Sequence, residues 1–246
     1  MAITTLLLTL VIGLLAGFVG AIAGGGGLIS IPFLLFLGIP PQVTLATNKL
    51  GGMGLSFGAL YKFIREKKVV WSYAIFLSII GIAGSFIGAR ILLTIHTDVL
   101  QKLIGVLLLL LLPTIFFKKN FGLEELNVSP IKKAVGYACY FLISIIASFF
   151  GGLGALSMSI VIFFFGLPML KGNATELVSY SIFSLVSVII FAISHLINYQ
   201  VGIALFIGML IGGYIGAHTA IKKGDKWVKI VFSIVVVASA IKILLN

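Results

Sequence analysis

Charge is what this sequence has least of. Only 9% of its 246 residues are Asp, Glu, Lys or Arg, against about a quarter in a soluble domain. Six residues are acidic, three are histidines and one is a cysteine. The single cysteine, Cys139, excludes an internal disulfide and any multi-cysteine metal site. A lone thiol in an apolar stretch is a packing residue. No HExxH, GxxxxGK[ST] or dinucleotide fingerprint occurs, so neither a metal nor a cofactor is expected. Missing too is any window polar enough to form a separate soluble domain.

What is abundant is apolar sequence. Hydrophobic residues make up 61% of the chain, and the mean hydropathy is +1.27. Apolar runs of a span's length recur at 3–23, 69–95, 103–117 with its flanks, and 201–221. About 20 residues of helix cross a ~30 Å hydrocarbon core, so the chain is expected to be an all-α polytopic membrane protein. The first run has no basic flank ahead of it and exceeds the usual h-region of a signal peptide. It is expected to stay in the membrane.

The net charge of +11 is distributed in clusters. Lys62, Arg65, Lys67 and Lys68 form one; Lys118, Lys119, Lys132 and Lys133 a second; Lys222, Lys223, Lys226 and Lys229 a third. Basic clusters in short loops between spans are the positive-inside pattern. They speak for a lipid bilayer as partner and against nucleic acid.

The chain repeats itself. Adding 128 to the residue number carries Gly24, Gly26 and Leu28 onto Gly152, Gly154 and Leu156. Gly38 and Pro40 fall on Gly166 and Pro168, and Ala46 and Thr47 on Ala174 and Thr175. Gly84, Gly88 and Ala89 fall on Gly212, Gly216 and Ala217. Shared greasiness matches Leu with Ile but does not align glycines, prolines and a threonine in order. Loop 62–68 is basic, whereas its counterpart "HLINYQ" has no Lys or Arg; loop 96–102 carries only Lys102, whereas its counterpart 222–229 is strongly basic. Equivalent loops are therefore expected on opposite sides of the membrane, which is an inverted-topology repeat. The expected division is 1–117 for the first repeat, 118–130 for a cytoplasmic connection and 131–246 for the second. Each half holds five elements, giving about eight full spans plus two short broken helices, with both termini outside. The short piece 28–37 is about 15 Å long as a helix; it either re-enters and turns at 38–41 or crosses a thinned region.

The run of four glycines, Gly24–Gly27, fits that plan. Glycine costs a helix up to ~1 kcal/mol relative to alanine, so the first helix is expected to stop there and double back. Broken backbone at membrane depth is tolerated when it is buried in protein or lines a cavity, and a break in both halves points to a transporter binding site. Gly84, Gly88, Gly212 and Gly216 read instead as small residues that let helices approach.

Five of the six acids, Glu66, Asp98, Glu124, Glu125 and Asp225, fall in or beside loops. Glu176 alone lies in an apolar stretch, "NATELVSYSIF", at the position equivalent to Asn48, next to Lys49. A charge at membrane depth faces a partner or a wet cavity. The candidate substrate-binding set is Gly25, Gly26, Thr47, Asn48 and Lys49 with Gly154, Asn173, Thr175 and Glu176. Both polar sets are expected to open a helix after a glycine–proline break, where free N–H groups favour an anion; Lys49 and Lys171 add positive charge. An ion pair between Lys49 and Glu176, closing the repeat interface, is the alternative use of those two residues. Glu176 is also the candidate for a coupling proton. Arg90 and His218 occupy matching helix ends and read as snorkelling side chains. Ser157 with His195 or His218 offers a serine and a base, but Ser157 falls on Ile29 and no spacing brings a histidine to it, so no enzyme is expected.

The stretch "GFVGAIAGGGGLISIPFLLFLGIPPQVTLATNKL", its degenerate copy "GGLGALSMSIVIFFFGLPMLKGNATEL", and the pair "GSFIGAR" and "GGYIGAH" resemble the sulfite exporter TauE/SafE family. The copy departs from the first motif at Leu153 and Ala155, where glycines stand in the first half, and at Ile160 in place of Pro32. The resemblance implies a secondary transporter of small, often sulfur-containing anions such as sulfite, a sulfonate or thiosulfate, in a prokaryotic plasma membrane, coupled to a proton or ion. An anion channel, a carrier of another small organic anion and a non-transporting membrane partner subunit are the alternatives. Oligomeric state is not legible.

Overall fold

The structure is a computed structural model that describes residues 3–95 and 122–244. The expected span at 99–117, with His96, Asp98, Lys102, Lys118 and Lys119, lies outside the described residues. Nine α-helices are described: α1 (Ile3–Ala23), α2 (Gly27–Phe36), α3 (Pro41–Arg65), α4 (Trp71–Thr94), α5 (Pro130–Ala147), α6 (Gly154–Phe165), α7 (Met169–Ile193), α8 (Tyr199–Lys223) and α9 (Asp225–Leu244). A short 3-10 turn, Gly151–Leu153, precedes α6. Among the described residues there is no strand. Five helices, α1, α4, α5, α7 and α8, are long and apolar enough to cross a membrane. The chain is a multi-pass integral membrane protein, with fewer qualifying spans among the described residues than the eight expected. One reason is α3, which has 25 residues but is the more polar helix that carries Asn48 and Lys49.

Over the described residues the two halves follow the same backbone. Shifted by 128, α3 coincides with α7 from first residue to last. Both end in the same closing turn: Glu66, Lys67 and Lys68 donate to the carbonyls of Lys62, Ile64 and Phe63, and Ser194, His195 and Leu196 to those of Ile190, Ala192 and Phe191. That turn needs a left-handed residue, supplied by Lys67 (φ 52°) and His195 (φ 54°). Gly38 (φ 77°) and Gly166 (φ 70°) fill the matching left-handed positions after α2 and α6.

Packing between halves uses small residues. A side chain on Gly208, Gly212 or Gly216 of α8 would run into the backbone of Leu10, Leu14 or Phe18 of α1. On α4, Gly84 and Gly88 are pressed against Phe141, Ser144, Ile145 and Ser148 at the end of α5. The glycine pairs of "GSFIGAR" and "GGYIGAH" are thus packing devices, and the helices gain dispersion contacts that lipid alone does not give them. Arg90 and His218 are exposed, with the Arg90 guanidinium 4.2 Å from the Phe86 ring centroid.

Hydrogen bonds gather the basic segments at one end. Val70, just after the first cluster, donates to Thr175 near the start of α7. Leu170 donates to Asp225 beside the third cluster, and Lys171 pairs with Glu125 at 2.6 Å. At the other end Asn198 donates to Thr47 near the start of α3, and Gln42 to the carbonyls of Leu92 and Ile95. The start of α3 therefore lies beside the end of α7, and the start of α7 beside the end of α3.

A cavity where two broken helices meet

The breaks lie against each other. A side chain on Gly24 (φ 70°) would meet the backbone of Gly154 and Ala155, and one on Gly27 would meet Gly151. Only bare backbone allows this approach. Gly26 also folds back onto the Ala16 carbonyl, so α2 leaves the break running back beside α1. The first hydrogen bond of α2 runs from Leu28 to the Gly25 carbonyl, which leaves the amides of Gly25, Gly26 and Gly27 ahead of the helical ladder.

At this junction is a cavity of about 30 Å³, room for about two waters. Its lining comes from both breaks (Gly20, Gly24, Gly26, Gly27, Gly151 and Gly154) and from both core helices. From α3 come Asn48, Gly52 and Leu55; from α7 come Asn173, Glu176, Leu177 and Tyr180; α8 adds Met209. Five of the expected site residues, Gly26, Asn48, Gly154, Asn173 and Glu176, thus share one wall-to-wall space.

Asn48, Glu176 and Asn173 are each held by a partner. Ser30 of α2 donates to Asn48 Oδ1, which leaves the Asn48 amide directed at Gly151 across the break. Ser157 of α6 donates to Glu176 Oε1 at 2.6 Å. Asn48 and Glu176 are equivalent positions, so each half-helix supplies one serine to steady one cavity side chain. Asn173 Nδ2 donates to the carbonyls of Ala21 and Ile22, at 2.7 and 3.3 Å, and so closes the end of α1.

The other expected residues lie elsewhere. Gly25 is buried within the break but does not line the cavity. Thr47 and Thr175 face away from it and accept the amides of Asn198 and Val70, each 3.0 Å away. Neither polar set opens its helix: α3 starts at Pro41 and α7 at Met169. The helix starts that border the cavity are those of α2 and α6. Lys171 is turned outward to Glu125. Lys49 is fully buried but makes no ion pair with Glu176. Its Nζ donates to Ser184 Oγ at 3.0 Å and lies 4.3 Å from the Tyr180 ring centroid and 5.2 Å from that of Phe183.

Sequence reasoning missed Tyr180, Ser30 and the true partner of Ser157. Tyr180 was reachable, because it follows Glu176 by four residues and so shares its helix face. Ser157 is the serine that a hydrolase would need, and its hydroxyl is engaged by a carboxylate rather than by a histidine.

Two helix starts, two amides and a carboxylate thus border one small space at the helix breaks. The family model described as sulfite exporter TauE/SafE matches residues 9–243. The chain belongs to the TauE/SafE family. Its relatives include a probable membrane transporter protein from Haemophilus influenzae, 29% identical over 219 residues, covering 89% of this chain and 86% of the relative. A probable membrane transporter protein from a Sinorhizobium species is 30% identical over 233 residues, 94% of this chain and 88% of the relative. The probable membrane transporter protein YfcA of Escherichia coli is 26% identical, with 95% and 87% covered. No solved structure matches significantly. Membership of a family of probable membrane transporters agrees with the resemblance read from the glycine-rich motifs.

Proposed function

We propose that this TauE/SafE protein is a secondary transporter that binds a small sulfur oxyanion, such as sulfite, in the cavity between the two breaks, and carries it between two inverted-topology repeats, 1–117 and 131–246. The observation that carries this reading is the convergence of α2 and α6 on one cavity. Both helices present their N-terminal ends there, where free amides and the dipole favour an anion. The carbonyl end of α1, which would repel an anion, is capped by Asn173. The family's description supplies the sulfite.

Inversion is supported by the antiparallel meeting of α3 and α7 and by the basic clusters at a single end, which the positive-inside pattern assigns to the cytoplasm. Glu176 is the coupling group in this reading: the one carboxylate among the cavity-lining residues, held by Ser157, and able to take a proton when the site changes sides.

Purified protein in liposomes tests the function. Sulfite flux should saturate and respond to an imposed proton gradient. Flux that rises linearly with concentration would make the protein a channel, and absence of sulfite, sulfonate and thiosulfate flux in folded protein would remove the sulfur-anion reading. For the inversion, cysteines replacing Lys67 and Asn198 in a Cys139→Ala background should label from opposite sides.

A further inference from the structure

Lys49 poses a problem that the cavity alone does not solve. Its ammonium is fully buried, has three N–H donors, and meets a single hydrogen-bond acceptor, Ser184 Oγ. Aromatic faces at 4.3 and 5.2 Å supply the rest of its surroundings. Buried cations in membranes ordinarily have a carboxylate or a wet cavity beside them, and Lys49 has neither in contact. Meanwhile the cavity, which the reading above fills with an anion, has no cationic side chain in its lining.

One residue touches both. Tyr180 lines the cavity, and the face of the same ring carries the Lys49 ammonium. Its hydroxyl rests against Gly52, which is the position equivalent to Tyr180 itself in the other repeat. The ring therefore occupies the crossing of α3 and α7, in space that glycine leaves open. Phe183 meets the ring edge-on, with 5.4 Å between centroids. A cavity with room for about two waters must enlarge to admit an oxyanion of four or more heavy atoms, and Tyr180 is the largest side chain in its wall.

We propose that Tyr180 is a positioning residue that keeps Lys49 in reserve behind the cavity wall, and that displacement of its ring by an entering oxyanion brings the ammonium to the anion. This rests on the anion-transport reading for its ligand, but the shielding itself is a property of the wall. Charge neutralisation is then conditional: the site acquires its cation only when an anion has pushed the ring aside. Facing Lys49 on α7 are Tyr180, Phe183 and Ser184, with Glu176 the nearest acid. Glu176 is held by Ser157 on α6 and lies within electrostatic reach of Tyr140 on α5 and Lys49 on α3.

Shielding is tested without knowing the substrate. In a Cys139→Ala, Lys49→Cys background, position 49 should react slowly with a small hydrophilic thiol reagent, and Tyr180→Ala should raise that rate by about tenfold or more. Phe183→Ala, which removes the other ring but not the cavity wall, should leave it within about twofold. Equal rates with and without Tyr180 would overturn the proposal. Delivery is tested in liposomes with sulfite as the probe. Tyr180→Phe, which keeps the ring, should hold KM within about threefold, whereas Tyr180→Leu should raise KM about tenfold with a smaller change in kcat. A Tyr180→Leu protein with unaltered KM would remove the delivery step even if labelling shows the shield. If labelling responds as expected while no sulfite moves in the parent protein, the transport reading fails and the shield stands.

Discussion

At equivalent positions the first half of the molecule carries Asn48, Lys49 and Gly52, and the second carries Glu176, Leu177 and Tyr180. The backbone around them is the same. The core helices coincide under the repeat shift, their closing turns share every hydrogen bond, and Thr47 and Thr175 cap each other's half at the same distance. Backbone geometry is shared by the two halves, while the side chains at these equivalent positions differ. One half now supplies an ammonium and a gap, the other a carboxylate and the ring that fills the gap. A symmetric frame lets a carrier adopt two mirror-related states; asymmetric contents let it bind one solute and couple it to one proton.

The largest effect should come from breaking the frame where the halves touch. Gly24→Val and Gly154→Val each force a side chain into the opposite break, and Gly24 adds a left-handed backbone that costs a branched residue about 1–2 kcal/mol. Either change is expected to remove more than about 4 kcal/mol and leave little folded protein by size-exclusion chromatography. Severe loss from both sides, somewhat larger for Gly24→Val, sharpens the comparison; a tolerated Gly154→Val would break it.

The contents respond differently. With no carboxylate in contact, Lys49→Met removes an unpaired buried charge, so stability should stay level or rise by about 1–4 kcal/mol while sulfite flux falls more than about tenfold, the loss of one charge-assisted contact. A large drop in melting temperature would instead restore the ion pair with Glu176. Glu176→Gln keeps the acceptor for Ser157, so folding and sulfite binding should survive while the pH dependence of flux flattens. Unchanged pH dependence would take Glu176 out of the coupling step.

The same contrast explains what could be read from the chain. The repeat, the breaks, the packing glycines and Glu176 were legible because each leaves a local mark: a glycine run, a fixed offset, a lone acid in an apolar stretch. Thr47 and Thr175 fall in the candidate substrate set because they stand beside Asn48 and Glu176 in the two polar stretches. Their partners lie 151 and 105 residues away, and no spacing reveals them. Lys49 and Glu176 looked like a pair for the mirror-image reason. Helix geometry brings their positions into one region, but the lysine turns to Ser184 and the Tyr180 ring, whose hydroxyl uses the space left by Gly52.

Smaller effects should be equal between halves. Thr47→Val and Thr175→Val each strand one backbone N–H, Asn198 or Val70, at a cost of about 1–3 kcal/mol. Because the two bonds sit at opposite ends, the loss in melting temperature should match while cysteine accessibility of the cavity shifts toward opposite sides. Matching shifts toward the same side would mean that the two latches do not open alternately.

The smallest effect concerns the left-handed residues that close α3 and α7. A non-glycine side chain at φ near 50° costs roughly 1–2 kcal/mol, and glycine returns about 0.5–1 kcal/mol of that as lost chain entropy. Lys67→Gly and His195→Gly should therefore each stabilise the protein by about 0.5–1 kcal/mol. These residues share no chemistry, so an equal gain, measured by thermal unfolding in detergent, assigns the repeat to backbone geometry. Orientation should separate them. In the proposed topology Lys67 belongs to the cytoplasmic basic cluster and His195 lies on the opposite side, so only Lys67→Gly weakens the charge bias that holds the chain's topology. Pairing it with Lys68→Gln should produce a detectable fraction of inverted molecules by cysteine labelling at Asn198, and His195→Gly should produce none. A gain at one position but not the other would show that the two closing turns, though identical in hydrogen bonding, carry different strain.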